Sequence, residues 1–146
     1  MKILLAYDGF DHSAHAVAEA AKLAAASGSE VTVFSVNPPD AAGSKSGGHK
    51  GIRPHAHEDA ARAHHFLDER GVQSEMKLAF GDPATEILKE LEGGEYDLVV
   101  VGSRRRGPVA RTLLGSVGKE LVERAPCSVL VATTKKDAPV EQITFG

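Results

Sequence analysis

YDLVVVG, at residues 96–102, is the most hydrophobic run of the chain and decides how the chain folds. Its apolar residues follow one another without the alternation expected of a strand that faces water on one side. Continuous apolar character is typical of a strand in a parallel sheet that is covered on both faces. The stretch therefore predicts a central strand of a buried parallel sheet.

Strands and helices alternate on either side of this stretch. Residues 72–79, VQSEMKLA, alternate polar and apolar side chains, which favours a strand near a sheet edge. Alternation of strands with helices predicts an α/β fold, a single doubly wound domain with a parallel sheet and helices on both faces. The other predicted strands are 2–7, 30–36 and 127–133, and the predicted helices run from about Ser13 to Gly28, from about residue 55 to Arg70, from Asp82 to Gly93 and from Ser116 to Ala125.

Local signals support the helix ends and faces. Gly28 and Gly71 are predicted C-terminal caps, and Asp82 is a predicted N-terminal cap followed by a proline. Four residues of the second predicted helix lie near one face, Ala60, Ala63, His64 and Leu67. The apolar stripe of the fourth is Val117, Leu121, Val122 and Ala125.

Length and composition bound the class of protein. The 146 residues, with a net charge of −3, predict one domain over 1–146, with a mobile inserted loop at 37–54 and a tail at 134–146. Without a long apolar run or a leader sequence, we expect a soluble, cytoplasmic protein with no membrane partner. The single Cys127 forms no internal disulfide and is interpreted as a small buried side chain beside a strand.

A basic loop, GSRRRGPVARTLLGS, occupies residues 102–116, directly after the predicted central strand. Ligands of open parallel sheets bind beyond the carboxyl ends of the strands, where the winding reverses. Asp8 and Gly9 after the first strand would face this loop, and the pair could hold a nucleotide, with phosphates at the helix start near Ser116. A simple Asp-Gly turn and a solvated arginine loop are the alternatives. Neither a Walker loop nor a GxGxxG follows a strand.

The chain resembles the universal stress protein family. The resemblance lies in four stretches: ILLAYDGF at 3–10, GDPATEIL at 81–88, YDLVVVGSRRRGPVARTLLGS at 96–116 and APCSVLV at 125–131. It implies a five-stranded parallel sheet of order 3-2-1-4-5 and a homodimer through the C-terminal strand region, Val129, Leu130 and Val131. It also implies a regulatory role in stress response and an ATP or AMP ligand, with magnesium expected only together with ATP.

The family's nucleotide binders share a glycine pattern that this chain matches in part. Gly102, Gly115 and Ser116 occupy their expected places, while Arg105 replaces the middle glycine. A Cβ there obstructs close backbone approach to phosphate, whereas arginine side chains could reach phosphates from the side. The resemblance and the loop together give these candidate nucleotide-binding residues: Asp8, Gly9, Val36, Gly102, Arg104, Arg105, Gly107, Gly115, Ser116 and Val117. The alternative is a protein-interaction module that has lost the nucleotide.

Other function classes are disfavoured. Residues 102–118 contain no acidic side chain, so we expect no catalytic residues and at most very slow ATP hydrolysis. Seven histidines, including His12 and His15 on one helix face, lack the spacing of a metal site and are expected to be solvated. The triple arginine is short and lacks neighbouring aromatic residues, so no nucleic-acid partner is expected.

Overall fold

The computed structural model describes residues 1–7, 11–37, 56–102, 104–106, 111–113 and 116–132. The predicted loop at 37–54, apart from Asn37, and the tail at 134–146 lie outside these ranges. The elements in chain order are β1 (Lys2–Ala6), α1 (Asp11–Ser27), β2 (Glu30–Asn37), α2 (Ala56–Glu69), β3 (Ser74–Phe80), α3 (Pro83–Gly93), β4 (Leu98–Gly102), β5 (Arg104–Arg106), β6 (Arg111–Leu113), α4 (Ser116–Arg124) and β7 (Ser128–Ala132).

Five parallel strands form the main sheet, in the order β3-β2-β1-β4-β7. Counted among these five strands the order is 3-2-1-4-5, which confirms the predicted α/β doubly wound fold. β4 lies between β1 and β7, and Val99 and Val100 are fully buried. The central position predicted for residues 96–102 is therefore confirmed, as is the edge position of β3.

Two apolar layers hold the helices to the sheet. On one face, α1 and α2 pack through residues such as Val17 and Leu67 against the side chains of Ile3 and Val33. On the other face, Leu88 of α3 and Leu121 of α4 belong to a second cluster around the central strands. Alternate side chains of the inner strands belong to opposite layers, so β1 and β4 are buried on both faces.

The predicted helix ends are found where their capping chemistry requires them. Gly28 and Gly71 have positive φ angles of 68° and 74°, the left-handed conformation that glycine adopts without strain. The Asp82 carboxylate accepts hydrogen bonds from the Thr85 hydroxyl at 2.8 Å and from the Thr85 backbone N–H at 3.0 Å, and these bonds hold the carboxyl pKa below its usual range. These ends fix where the chain returns to the sheet.

Four interpretations are corrected. Residues 104–106 and 111–113 pair as an antiparallel hairpin inside the stretch interpreted as a loop. Val122 is 54% exposed, because Leu121 lies in one row with the positions four residues before and after it, and Val122 is turned by about 100° from that row. His15, expected to be solvated, is only 8% exposed. The inserted loop cannot begin at Asn37, which ends β2.

No helix within the described ranges is both long enough and apolar enough to cross a lipid bilayer.

Candidate functional site

The sheet reverses its winding at β1, and this defines the candidate site. Leu5 of β1 pairs with Val33 of β2 on one side and with Val100 of β4 on the other. The chain leaves β1 toward β2 and reaches β4 only after two further helices. The carboxyl ends of β1 and β4 are thus neighbours at the switch point, where open α/β sheets bind ligands.

A buried hydroxyl fixes the exit of β1. Ser35 Oγ donates a hydrogen bond to the Tyr7 carbonyl oxygen at 2.8 Å, and the Tyr7 N–H donates to the Phe34 carbonyl at 3.0 Å. Ser35 is 1% exposed and Tyr7 is 4% exposed, so water does not compete for these bonds. Because Tyr7 directly precedes Asp8, the two bonds determine where the chain starts toward that residue.

Two buried polar atoms near this edge have no hydrogen-bond partner among the described residues. They are Asn37 Oδ1, at the end of β2, and His15 Nε2, in the early turns of α1. Burial lowers the pKa of His15, while the nearby Glu19 acts in the opposite direction. A buried polar atom without a partner is costly, so both atoms are suited to meet a polar ligand or water.

Polar groups nearer the opposite edge satisfy one another instead. Tyr96 Oη donates to Glu90 Oε2 at 2.7 Å, and Lys77 Nζ donates to the same oxygen at 2.8 Å. Burial is the largest of the causes that raise the pKa of Tyr96 to about 12. The polar atoms of this cluster bond to one another. The two buried atoms without a hydrogen-bond partner among the described residues, Asn37 Oδ1 and His15 Nε2, lie instead near the carboxyl ends of the strands.

A glycine ends β4 at the switch point, and a hairpin and the start of a helix follow it along the chain. Gly102 ends β4 and pairs with Ala132, β5 follows after one residue, and Ser116 is the first residue of α4. Backbone N–H groups at a helix start favour anions. The side chain of Val117, one residue later, packs against the second apolar cluster and anchors this helix start.

The hairpin separates the arginine positions. Position 105 pairs with Thr112, whereas positions 104 and 106 pair with Leu113 and Arg111. Neighbouring positions of a strand belong to opposite faces. Position 105 therefore lies on one face of the hairpin, and positions 104 and 106 lie on the other.

A family model described as "Universal stress protein family" matches residues 1–133. The chain belongs to the universal stress protein family. A curated relative from Thermus aquaticus, "Universal stress protein in QAH/OAS sulfhydrylase 3'region", is 35% identical over 131 residues, which cover 88% of this chain and 96% of the relative.

Solved universal stress protein structures share the fold. One from Arabidopsis thaliana, with AMP bound, superposes with a TM-score of 0.68 at 20% identity and covers 94% of both chains. One from Archaeoglobus fulgidus, in complex with dAMP, has a TM-score of 0.66 at 18% identity and covers 90% of this chain and 96% of its own. At this identity the likeness shows the doubly wound fold, which agrees with the observed strand order.

The structure places some of the predicted site residues of this universal stress protein. Val36, Gly102, Ser116 and Val117 lie on β2, β4 and α4, at or near the ends of these elements that meet at the carboxyl edge. Arg104 and Arg105 lie on β5. The remaining four, Asp8, Gly9, Gly107 and Gly115, lie outside the described residues.

Sequence reasoning missed Ser35, Asn37 and His15. The hydroxyl within the apolar run VFSV was a usable signal, because a polar side chain in a buried strand needs a partner. Across the described ranges, no group of three or more His, Cys, Asp or Glu side chains is placed to hold a metal ion.

Proposed function

We propose that this universal stress protein is a regulatory protein that binds an adenine nucleotide, ATP or AMP, at the switch point between β1 and β4. The observation that carries the proposal is that two buried polar atoms, Asn37 Oδ1 and His15 Nε2, lack partners among the described residues and belong to elements that meet this edge. Adenine and ribose offer donors and acceptors of the kind these atoms need.

The nucleoside end is assigned to the exits of β1 and β2. Asp8 and Gly9 follow Tyr7, whose carbonyl is held by Ser35. A carboxylate at position 8 would accept hydrogen bonds from a ribose hydroxyl or an amine, and the backbone of Val36 would contact the base.

The phosphate end is assigned to the segment between β4 and α4. Gly102, Gly115, Ser116 and Val117 would contact ribose and phosphates, with the start of α4 supplying N–H groups and a favourable dipole. Arg104, Arg105 and Gly107 would line the phosphates, the arginines through charge-assisted hydrogen bonds. Magnesium would bind only together with ATP.

Relatives support the class of ligand. The solved structures from Arabidopsis thaliana and Archaeoglobus fulgidus carry AMP and dAMP. Both ligands combine adenine with a phosphate, which matches the chemistry assigned to the two ends of the site here.

Nucleotide binding would act through shape and assembly rather than through catalysis. We place the protein in the cytoplasm, as a homodimer in stress response that pairs through Val129, Leu130 and Val131 of the edge strand β7. These three residues are half-buried, which leaves surface for a second copy. Hydrolysis of ATP, without an acidic residue at 102–118, would be very slow.

One observation favours a second candidate, a stress-response interaction module that binds no nucleotide. Arg105 occupies the place of the family's middle glycine, and its Cβ would obstruct close approach of phosphate to the backbone. Acid extraction of the purified full chain followed by mass spectrometry separates the two. Release of adenine nucleotide supports the binding protein, whereas an empty extract together with no calorimetric response to ATP or AMP supports the module.

A further inference from the structure

The backbone N–H and C=O groups on the outer side of the edge strand β3 make no hydrogen bond to another described strand of the sheet. The Val31 N–H donates to the Gln73 carbonyl and the Gly81 N–H donates to the Asn37 carbonyl, both at 2.9 Å. In a parallel ladder, alternate residues of a strand bond to the same neighbour, so the odd-numbered residues of β3 bond to β2. The N–H and C=O groups of the even-numbered residues, 74 to 80, point outward, and no described strand lies beyond them.

Apolar side chains accompany these outward groups. Leu78 is 42% exposed and Phe80 is 73% exposed, and both belong to the sheet face on which Met76 packs against the core. They are two of the four large exposed hydrophobic residues in the described part of the chain. A long edge strand that carries exposed apolar residues is a surface suited to pairing.

Charges on the other face of β3 have a self-complementary order. Glu75 and Lys77 are exposed and two residues apart, so both belong to the face toward α3, where Lys77 Nζ contacts Glu90 Oε2 at 2.8 Å. An antiparallel pair of two copies that is centred on Met76 places Glu75 opposite Lys77 twice. Opposite charges in directly facing positions stabilise a strand pair.

We propose that β3 pairs with β3 of a second copy of this chain, in antiparallel register about Met76. In this register the outward groups of Ser74, Met76 and Leu78 meet their counterparts, with Leu78 facing Ser74 of the second copy. The interface is isologous, as a two-fold axis requires. It goes beyond nucleotide binding and does not depend on it.

The charges select this register over its neighbours. Centring the pair on Lys77 would set the two Lys77 side chains directly opposite each other, which is destabilising. Centring it on Leu78 would place Lys77 opposite Ala79 and leave both charge pairs unmade. The order Glu75, Met76, Lys77 therefore favours one alignment of the outward hydrogen-bonding groups.

Charge reversal with mixing tests the proposal. Sedimentation velocity of the full chain would compare wild type, E75K, K77E and an equimolar mixture of the two variants, of which one is fluorescently labelled. When two copies of the same variant pair, positions 75 and 77 carry like charges and face each other at two places. We therefore expect the dissociation constant of the β3 pair to rise about tenfold. The mixture restores both opposite-charge pairs, so the labelled chain should sediment in the larger assembly that wild type forms and that each variant alone loses. K22E, the same reversal at an exposed lysine of α1, is the control and should associate like wild type.

The outcomes separate this interface from one at β7. A pair through β7 leaves β3 free, so wild type should exceed the mass of a dimer as its concentration rises. Wild-type association that E75K and K77E leave unchanged would overturn the proposal, and so would a mixture that fails to reassociate while circular dichroism shows both variants folded. Wild type whose mass never exceeds that of a dimer would also overturn the proposal. The one exception is a dimer that both variants lose and that their mixture restores, because that dimer is then the β3 pair.

Discussion

Ser35 Oγ lies 2.8 Å from the Tyr7 carbonyl oxygen and donates a buried hydrogen bond to it, tying the end of β1 to β2. We expect Ser35→Ala to lower the free energy of unfolding by about 1–3 kcal/mol, because a buried carbonyl loses this donor. The same change should weaken nucleotide binding, since the chain enters Asp8 from Tyr7. Urea unfolding and titration calorimetry would measure the two effects.

Ser27→Ala is the control for this substitution. Ser27 Oγ also donates to a backbone carbonyl, that of Leu23 at 2.7 Å, but it lies exposed at the far end of α1. It should leave nucleotide affinity unchanged. Equal loss of affinity in both variants would contradict a positioning role for Ser35.

His15 should make stability depend on pH. Its pKa is lowered by burial from the usual 6.5, so the unfolded chain binds a proton more readily than the folded one. The contribution of neutral His15 is complete above pH 6.5 and is lost as the pH falls through this value toward the folded pKa. Urea unfolding of wild type and of His15→Leu over this range should show a difference in stability that changes with pH. A constant difference would argue against a buried neutral imidazole.

Leu121 and Val122 test the packing of α4. Leu121 is fully buried and Val122 is 54% exposed. We expect Leu121→Ala to cost about 2–5 kcal/mol of unfolding free energy and Val122→Ala about 0.5 kcal/mol or less. Chemical denaturation would measure the free energy of unfolding of both variants. Similar decreases in the two would contradict the observed orientation of α4.

The sequence predicted the main sheet because its strands are either continuously apolar, as Val99 to Val101 are, or alternating, as in β3. The glycine and aspartate caps were equally readable from local chemistry. The hairpin β5–β6 was not, because its strands have three residues each and carry mostly arginine, without an apolar period. Burial of His15 and the partnership of Ser35 with Tyr7 depend on residues far apart in the chain, which no local pattern reports.

In the proposed site, Arg105 would limit how closely phosphate approaches the segment after β4. We expect Arg105→Gly to strengthen ATP binding, because removing the Cβ restores the backbone freedom that the family's glycine provides. Arg105→Ala is the matched control, because it removes the same guanidinium but keeps the Cβ, so it should not share the gain in affinity. Titration calorimetry would compare both with wild type. Unchanged or weaker ATP binding by Arg105→Gly would show that the segment is built around the arginine.

We propose that the switch point between β1 and β4 binds an adenine nucleotide. Isothermal titration calorimetry with ATP and with AMP, on the purified full chain freed of any co-purified ligand, is the decisive measurement. We predict a saturable heat with one nucleotide per chain for at least one of the two ligands. The absence of heat with both, together with an acid extract that contains no adenine nucleotide, would contradict the claim.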